Sequence, residues 1–380
     1  MAVGRGPVED VVSTAGAMSA MSAANPMADR LGHYAGRRVF LTGHTGFKGA
    51  WLALWLARLG ARVSGYALPP EQPAGLFTAA GVADTLHGHH LADIREADTL
   101  ARALRDAQPE IVFHLAAQPL VGAGYRDPVA NWATNVMGTV NLLDAVRQCP
   151  GVRAVVVITT DKCYDNKEWV WGYRETDPLG GHDPYSASKA AAELVAASYR
   201  NAFLAERGVL VATARAGNVI GGGDWADNRL VPDAARAAAA GGVLEIRNPH
   251  ATRPWQHVLE ALHGYLLLGA RLMGGEPALA RAFNFGPQAS DNLAVGAVLT
   301  ALERHWPELR WQLADTGAGA PHEARNLHLD SSLARDMLGW QPRWALDQAL
   351  AATAHWYRAV QADPAAARAV TERQIDQFRV

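Results

Sequence analysis

Between Arg37 and Gly217, short unbroken apolar runs alternate with segments of helical spacing, and this alternation narrows the possible folds more than any other feature of the chain. The runs at 38–42 (RVFLT), 62–67, 110–116 (EIVFHLA), 154–160 (AVVVITT) and 209–214 (VLVATA) show no polar alternation, so they read as strands covered on both faces. The segments at 50–59, 99–107, 134–149 and 187–206 have the spacing of helices, the first closed by Gly60. Strands and helices in this rhythm predict an α/β fold, a doubly wound parallel sheet of Rossmann type.

Past Gly217 the rhythm breaks. Glycine runs at 221–223 and 241–242, with scattered Pro and Trp, mark loops of a smaller, mixed C-terminal substrate lobe. The expected organisation is a disordered tail at 1–35, a first unit at 36–216 to which 255–287 returns, and a lobe built from 217–254 and 288–380. The tail is small, polar and aperiodic, without the apolar segment of a secretory signal, and Met18, Met21 and Met27 stand in it as alternative starts. A net charge of −2 gives no electrostatic reason to expect nucleic acid or an anionic membrane as partner. No apolar run approaches the roughly 18 residues of a membrane span. Two cysteines, Cys149 and Cys163, form no disulfide framework and fit a cytoplasmic protein.

Gly43-His44-Thr45-Gly46-Phe47-Lys48-Gly49 joins the first strand to the first helix. Glycines at this spacing let the backbone turn tightly and approach a pyrophosphate at the helix N-terminus, so the first unit reads as dinucleotide-binding. A ribose-binding acid is expected about 20 residues on. The second strand ends instead in Gly65-Tyr66-Ala67-Leu68, with neither acid nor arginine, and NAD is preferred over NADP only on the remaining features. Asp93, followed by Ile94, is the candidate for the adenine end, its bland alternative being a helix cap.

Tyr185-Ser-Ala-Ser-Lys189 places a phenol and an amine at i and i+4 on one helix face. Lysine occurs only at 48, 162, 167 and 189, the other 31 basic residues being arginine. With nine Tyr in the chain, chance would give this pair about 0.1 times. An ammonium beside a phenol favours the phenolate and is expected to lower the Tyr185 pKa from about 10 toward neutrality. Such a phenolate can take a proton from a sugar hydroxyl as hydride leaves the same carbon. Thr160, at the end of a buried strand, is placed to bind the same oxygen.

Thr160, Tyr185 and Lys189 behind a glycine loop resemble the extended short-chain dehydrogenase/reductase family, whose members act mostly on nucleotide sugars. The resemblance runs from about Arg37 to Tyr357 and includes H-L-A-A-Q at 114–118, N-V-M-G-T-V, T-D-K-C-Y-D-N, E-W-V-W-G-Y, R-A-G-N-V-I-G-G-G-D-W, R-P-W-Q-H-V and L-G-W-Q-P. It implies that Ala116, Ala117 and Gln118 join the cofactor site, and that the chain forms a homodimer or higher homo-oligomer. It further implies CDP-glucose as substrate, the cytosine preference resting on the resemblance alone. The implied reaction is oxidation at C4, elimination of water across C5 and C6, and reduction at C6, on NAD that stays bound.

Elimination needs an acid near C6 and a base near C5, and Asp161 and Lys162 stand where the resemblance requires them. Related dehydratases carry Asp-Glu at this place, so Lys162 replaces a carboxylate base. An amine can serve only when neutral, which requires a pKa lowered from about 10.4 toward 7 by burial or by a nearby cation such as Lys189. Asp161 requires the opposite shift. The resemblance also implies diphosphate contacts from Asn218 and Arg253; Arg229 and Arg247 are further phosphate candidates, and His322 is a candidate for the pocket lining. The aromatic residues at 169–173 either face a nucleotide base or pack a loop. His87-Gly-His-His90 has neither Cys nor a paired carboxylate, and no metal is expected. Two other readings stay open: a nucleotide-sugar 4-epimerase, and a catalytically silent NAD-binding regulator.

Overall fold

The computed structural model describes Met1 and residues 31–314 and 326–379. Its centre is a seven-stranded parallel sheet. The strands are β1 (Arg38–Thr42), β2 (Arg62–Ala67), β3 (Gly88–Leu91), β4 (Ile111–His114), β5 (Ala154–Ile158), β6 (Leu210–Ala216) and β7 (Ala282–Phe285), in the order β7-β6-β5-β4-β1-β2-β3. The helices that matter for the site are α1 (Phe47–Arg58), α2 (Ala97–Ala107), α3 (Gly138–Gln148), α4 (Pro184–Tyr199) and α5 (Val258–Met273).

The unbroken apolar runs become strands because each face of the sheet has its own core. Val39 and Leu41, Ile111 and Phe113, and Ala154 and Val156 point to one face, with α1 and α5. Phe40, Val112, Val155 and Val157 point to the other, with α2 and α3. Period-two alternation thus sorts residues between two apolar layers, leaving no polar face to mark it in the sequence.

Strand order reverses between β1 and β4: from β1 the chain winds outward to β3, then returns to β4 on β1's other side. That reversal opens a crevice at the strand C-termini, where ligands of such sheets bind. The loop after β1 and the loop after β4 form its walls.

The N-terminal boundary differs from expectation. Gly32–Tyr34 forms a 3-10 turn, and Tyr34 is fully buried, its hydroxyl donating to the Leu266 carbonyl of α5 at 2.7 Å. The segment immediately before β1 is therefore folded onto the sheet; an aromatic ring with a polar tip closes the gap beneath α5.

Beyond β6 lie short pairs of strands (Val219–Ile220 with Gln256–His257, Leu244–Ile246 with Trp311–Leu313, Thr252–Pro254 with Asn292–Ala294) and the helices Leu230–Ala239, Val295–His305 and Leu346–Ala362. Between them α5 and β7 rejoin the central sheet. The last helix, α6 (Ala367–Arg379), joins the lobe to the sheet: Thr371 accepts from Trp356 Nε1 of Leu346–Ala362 at 2.8 Å, while Phe378 packs edge-on against Trp55 of α1 and Arg58 binds Asp376 and Glu372.

Candidate active site

The site assembles where β1, β4 and β5 end. Gly43 has φ 76°, in the left-handed region, and its amide donates to Tyr66 O at 2.9 Å. A Cβ on Gly43 would lie 2.7 Å from the Ala116 amide nitrogen, and one on Gly49 would lie 2.0 Å from Gly43 O. Side chains are thus excluded from the very turn that brings the first amides of α1, at Phe47 and Lys48, to face the crevice, with Gly46 as the helix N-cap. This cradle fits a dinucleotide pyrophosphate.

His44 is wholly buried beneath it, its ring 5.0 Å from that of His89 and 5.4 Å from Phe77. Burial, helped by the charge of His89, pushes its pKa down to about 4, so it packs as a neutral ring. Asp93 follows β3 and is held in two ways: its carboxylate takes both the amide and the guanidinium of Arg95, and its carbonyl accepts from Tyr66 Oη at 2.9 Å. Ile94 is buried against Gly138. The end of β2 carries the exposed Leu68, whose carbonyl accepts from Thr45.

Ala116, Ala117 and Gln118 form the opposite wall. Thr42 Oγ1 accepts from the Ala116 amide at 3.1 Å, and the Gln118 amide donates to Asn135 Oδ1 at 2.8 Å. Asn135 Nδ2 then reaches Ser188 Oγ on α4 at 2.9 Å. Asn135 lies in a π-helical turn, Ala133–Met137, preceding α3, and the extra residue of that turn directs its side chain to both wall and helix. Neither Asn135 nor Ser188 was singled out from sequence; an Asn inside an otherwise apolar helical segment was the available signal.

The T-T-D-K segment leaves β5 at Ile158 and enters a 3-10 turn, Asp161–Cys163, capped by Thr160. Thr160 Oγ1 lies 2.9 Å from Asp161 Oδ1, while Asp161 Oδ2 is buried without a hydrogen-bond partner. Burial pushes the Asp161 carboxyl up, against the nearby charge of Lys162, the Thr160 hydrogen bond and the charges of Arg253 and Lys48. This is the direction an acid requires. Lys162 is half-buried, with its amide donating to Thr160 Oγ1.

Tyr185 and Lys189 lie in the first two turns of α4, both buried. Here the expected phenolate is corrected. Burial pushes the Tyr185 phenol up to about 12, outweighing a Thr160 hydrogen bond and the charge of Arg229, while Asp161 and Asp183 add to the rise. The ammonium expected to offset this has other ties: Lys189 Nζ donates to Ile158 O at 2.8 Å, and burial lowers its own pKa to about 8. Desolvation dominates both groups. Lys48, whose role the sequence left open, is also drawn in. Burial and the charge of Arg229 lower it to about 8, with Asp161, Lys189 and Asp224 also acting on it.

On the substrate side, Arg253 is buried, donating to Thr252 O at 2.7 Å. A Cβ on Gly217 would meet both Pro254 and, at 2.9 Å, Asp161 Oδ2, so the R-P-W-Q-H strand runs against the Asp161–Cys163 turn. Asn218 borders it, its carbonyl accepting from Gln256 N. Arg229 pairs with Asp224 at 2.8 Å and faces Tyr185 and Lys48. Arg247 is exposed beyond Leu244–Ile246 and is not gathered into this group. His322 lies outside the described residues. Trp169 and Tyr173 stack at 5.2 Å and pack the loop, leaving Trp171 exposed. His87 bonds Arg62, and among the described residues no group of three or more His, Cys, Asp or Glu is placed to hold a metal ion.

Comparison with known proteins places this geometry in context. A family profile described as GDP-mannose 4,6 dehydratase matches residues 40–353. The CDP-glucose 4,6-dehydratase of Salmonella typhimurium is 48% identical, over 85% of this chain and 91% of its own length. A UDP-glucose 4-epimerase of Mycolicibacterium smegmatis is 30% identical, over 70% of this chain and 82% of its own. Among solved structures, the dTDP-glucose 4,6-dehydratase of Streptomyces venezuelae with NAD bound has a TM-score of 0.70 at 27% identity, covering 86% of this chain and 98% of that one. An epimerase of Methanothermobacter thermautotrophicus superposes at a TM-score of 0.74 with 20% identity, covering 89% and 97%, a likeness of fold.

Proposed function

The chain belongs to the GDP-mannose 4,6 dehydratase family, and on that footing we propose that it converts CDP-glucose to CDP-4-dehydro-6-deoxyglucose and water. The observation that carries this reading is the buried acid Asp161, with one carboxylate oxygen unpartnered, beside an amine at Lys162 and next to Tyr185. A 4-epimerase requires the Thr160–Tyr185–Lys189 group but has no step for an acid and base pair.

NAD, held by Gly43, Gly46, Phe47 and Gly49 under the pyrophosphate, by Ala116–Gln118 and Lys189 along the crevice and by Asp93 and Ile94 at the adenine end, would supply acceptance and return of a hydride. The protein supplies the protons. Tyr185 takes the C4 hydroxyl proton once it is ionised; burial opposes that ionisation most strongly, Thr160 and Arg229 favour it, and Asp161 and Asp183 add to the opposition. A proton on Asp161 removes its share of that opposition, so acid and base assist one another. Lys162 removes the C5 proton, acidified by the 4-ketone, and Asp161 protonates the departing C6 hydroxyl. Arg253 and Arg229 provide guanidinium forks for the diphosphate, with Asn218 beside them.

Incubation with CDP-glucose in D₂O tests the proposal. The expected product is lighter by one water and carries deuterium at C5; an epimer of unchanged mass would support the second family activity instead. Lys162→Arg should cut turnover on the order of 100-fold and abolish C5 exchange, since arginine stays protonated. Full exchange in that variant would remove Lys162 as the base.

A homodimer is proposed from the apolar residues left exposed on adjoining helical segments: Tyr125, Val129, Trp132 and Met137 before α3, and Leu194 and Phe203 on and after α4. No helix among the described residues is long and apolar enough to cross a membrane. Both cysteines are free and buried, which supports a cytoplasmic enzyme.

A further inference from the structure

Helix α4 carries a third charged residue, Glu193, one turn beyond Lys189 and 4% exposed. Its carboxylate is fully engaged by two strands. From β6, Arg215 donates through Nε at 3.0 Å and Nη2 at 2.8 Å, and Thr213 Oγ1 donates at 2.6 Å. From the end of β5, Thr159 Oγ1 donates to Oε1. The partner guanidinium continues outward: Arg215 Nη1 donates to Tyr164 Oη at 2.8 Å, and its carbon lies 4.9 Å from the centre of that ring. Tyr164 stands directly after the Asp161–Cys163 turn and is fixed on its far side by Asn284 at 2.7 Å.

The catalytic segment is thus gripped at both ends by one network. Lys189 holds the Ile158 carbonyl and, one turn later, Glu193 holds the Thr159 hydroxyl; the next residue is Thr160. Through Arg215 the same carboxylate holds Tyr164, which closes the turn carrying Asp161 and Lys162. A buried ion pair adds little net stability over apolar side chains of equal volume, because desolvating two charges offsets their attraction. Its value lies in direction, since the donors reach this helical carboxylate from two strands, β6 and the end of β5. We infer that Glu193 is a positioning residue, which sets Thr160 and the Asp161–Lys162 turn against Tyr185; this rests on the proposed dehydratase reading.

Glu193 also acts on Lys189 by charge. The groups that interact electrostatically with Lys189 are Glu193 on α4, Cys163 on the turn, His114 on β4 and Lys48 on α1. The Cys163 thiol is held well above its usual range and His114 well below, both mainly by burial, so neither carries charge near neutrality. Glu193 is the anion that keeps the proton on Lys189.

Four lysines in the chain make ε-¹³C-lysine NMR a direct readout, each signal assigned by substitution. In Glu193→Gln the Lys189 titration should move down by about one pH unit, and kcat on CDP-glucose should fall on the order of 10- to 100-fold with KM little changed. Thr159→Val removes one bond and leaves the ion pair; kcat should fall while the Lys189 titration stays where it is in the unaltered chain. If Glu193→Gln keeps both kcat and the titration, the inference is overturned. Should that variant fail to fold, Thr159→Val decides alone, and unchanged kcat in it overturns the positioning role. An unaltered chain that leaves CDP-glucose untouched overturns the dehydratase reading instead, while the lysine titration still decides the charge effect of Glu193.

Discussion

Single atoms govern the site most visibly at the glycines. A methyl group on Gly49 would sit 2.0 Å from a backbone oxygen that cannot move without opening the loop. Gly49→Ala should therefore cost about 1–3 kcal/mol, the usual range for overpacking, and abolish NAD binding. Calorimetry and titration of NAD fluorescence quenching check the two effects. Part of the proposed site was legible as residue types: Thr160 and Asp161 act on Tyr185, and Tyr185 and Lys189 share the first two turns of α4. Their proton affinities were not. The i, i+4 spacing promised a phenol eased by its lysine, yet burial dominates both groups and Lys189 is turned to a carbonyl. Spacing states adjacency along a helix; desolvation depends on everything packed around it, which no local pattern records.

At the scale of elements, β1 and β2 start and stop where the apolar runs do, whereas the two helices that build the site begin earlier than their apolar spacing suggests. Helix α4 starts at Pro184 rather than 187, with Asp183 as its cap, its carboxylate accepting from the Ser186 amide at 3.0 Å and from Ser186 Oγ at 2.5 Å. An Asp-Pro pair at a helix start is a readable signal, and it recurs at Asp127-Pro128. The difference matters for function, since it places Tyr185 in the first turn, held by the cap. Asp183→Ala should destabilise the fold by about 1 kcal/mol and lower kcat more than binding. Urea unfolding beside steady-state kinetics would separate the two. Strand β5 ends two residues short of its apolar run because Thr159 and Thr160 turn their hydroxyls to Glu193 and Asp161.

At the scale of the whole molecule, four histidines among the described residues are buried: His44 in the glycine loop, His114 on β4, His257 in a short strand of the lobe and His263 on α5. Burial lowers His114, His257 and His263 to about 3 and His44 to about 4. The unfolded chain takes up protons at these rings near 6.5 while the folded chain refuses them, so stability is complete above that pH and falls steadily as pH drops toward 3–4. The urea midpoint should accordingly decline between pH 7 and 5, and a flat profile would contradict the neutral burial of these rings. The proposed dimer makes a separate prediction: Leu194→Asp, at a position 62% exposed in one chain, should shift the mass seen by light scattering to that of a monomer while thermal stability of the fold changes little.

The contact between α6 and α1 has a consequence for how the protein is made. Arg58 and Asp376 are 318 residues apart, so the ribosome has produced the whole glycine loop and all seven strands before Trp55 meets Phe378. During synthesis Trp55 on α1 must wait for Phe378 of the last helix, and β7 must likewise wait for the lobe segment 217–254 that precedes it. Folding of the dinucleotide half is then completed late, and nascent chains stalled before residue 367 should be the ones that chaperones hold.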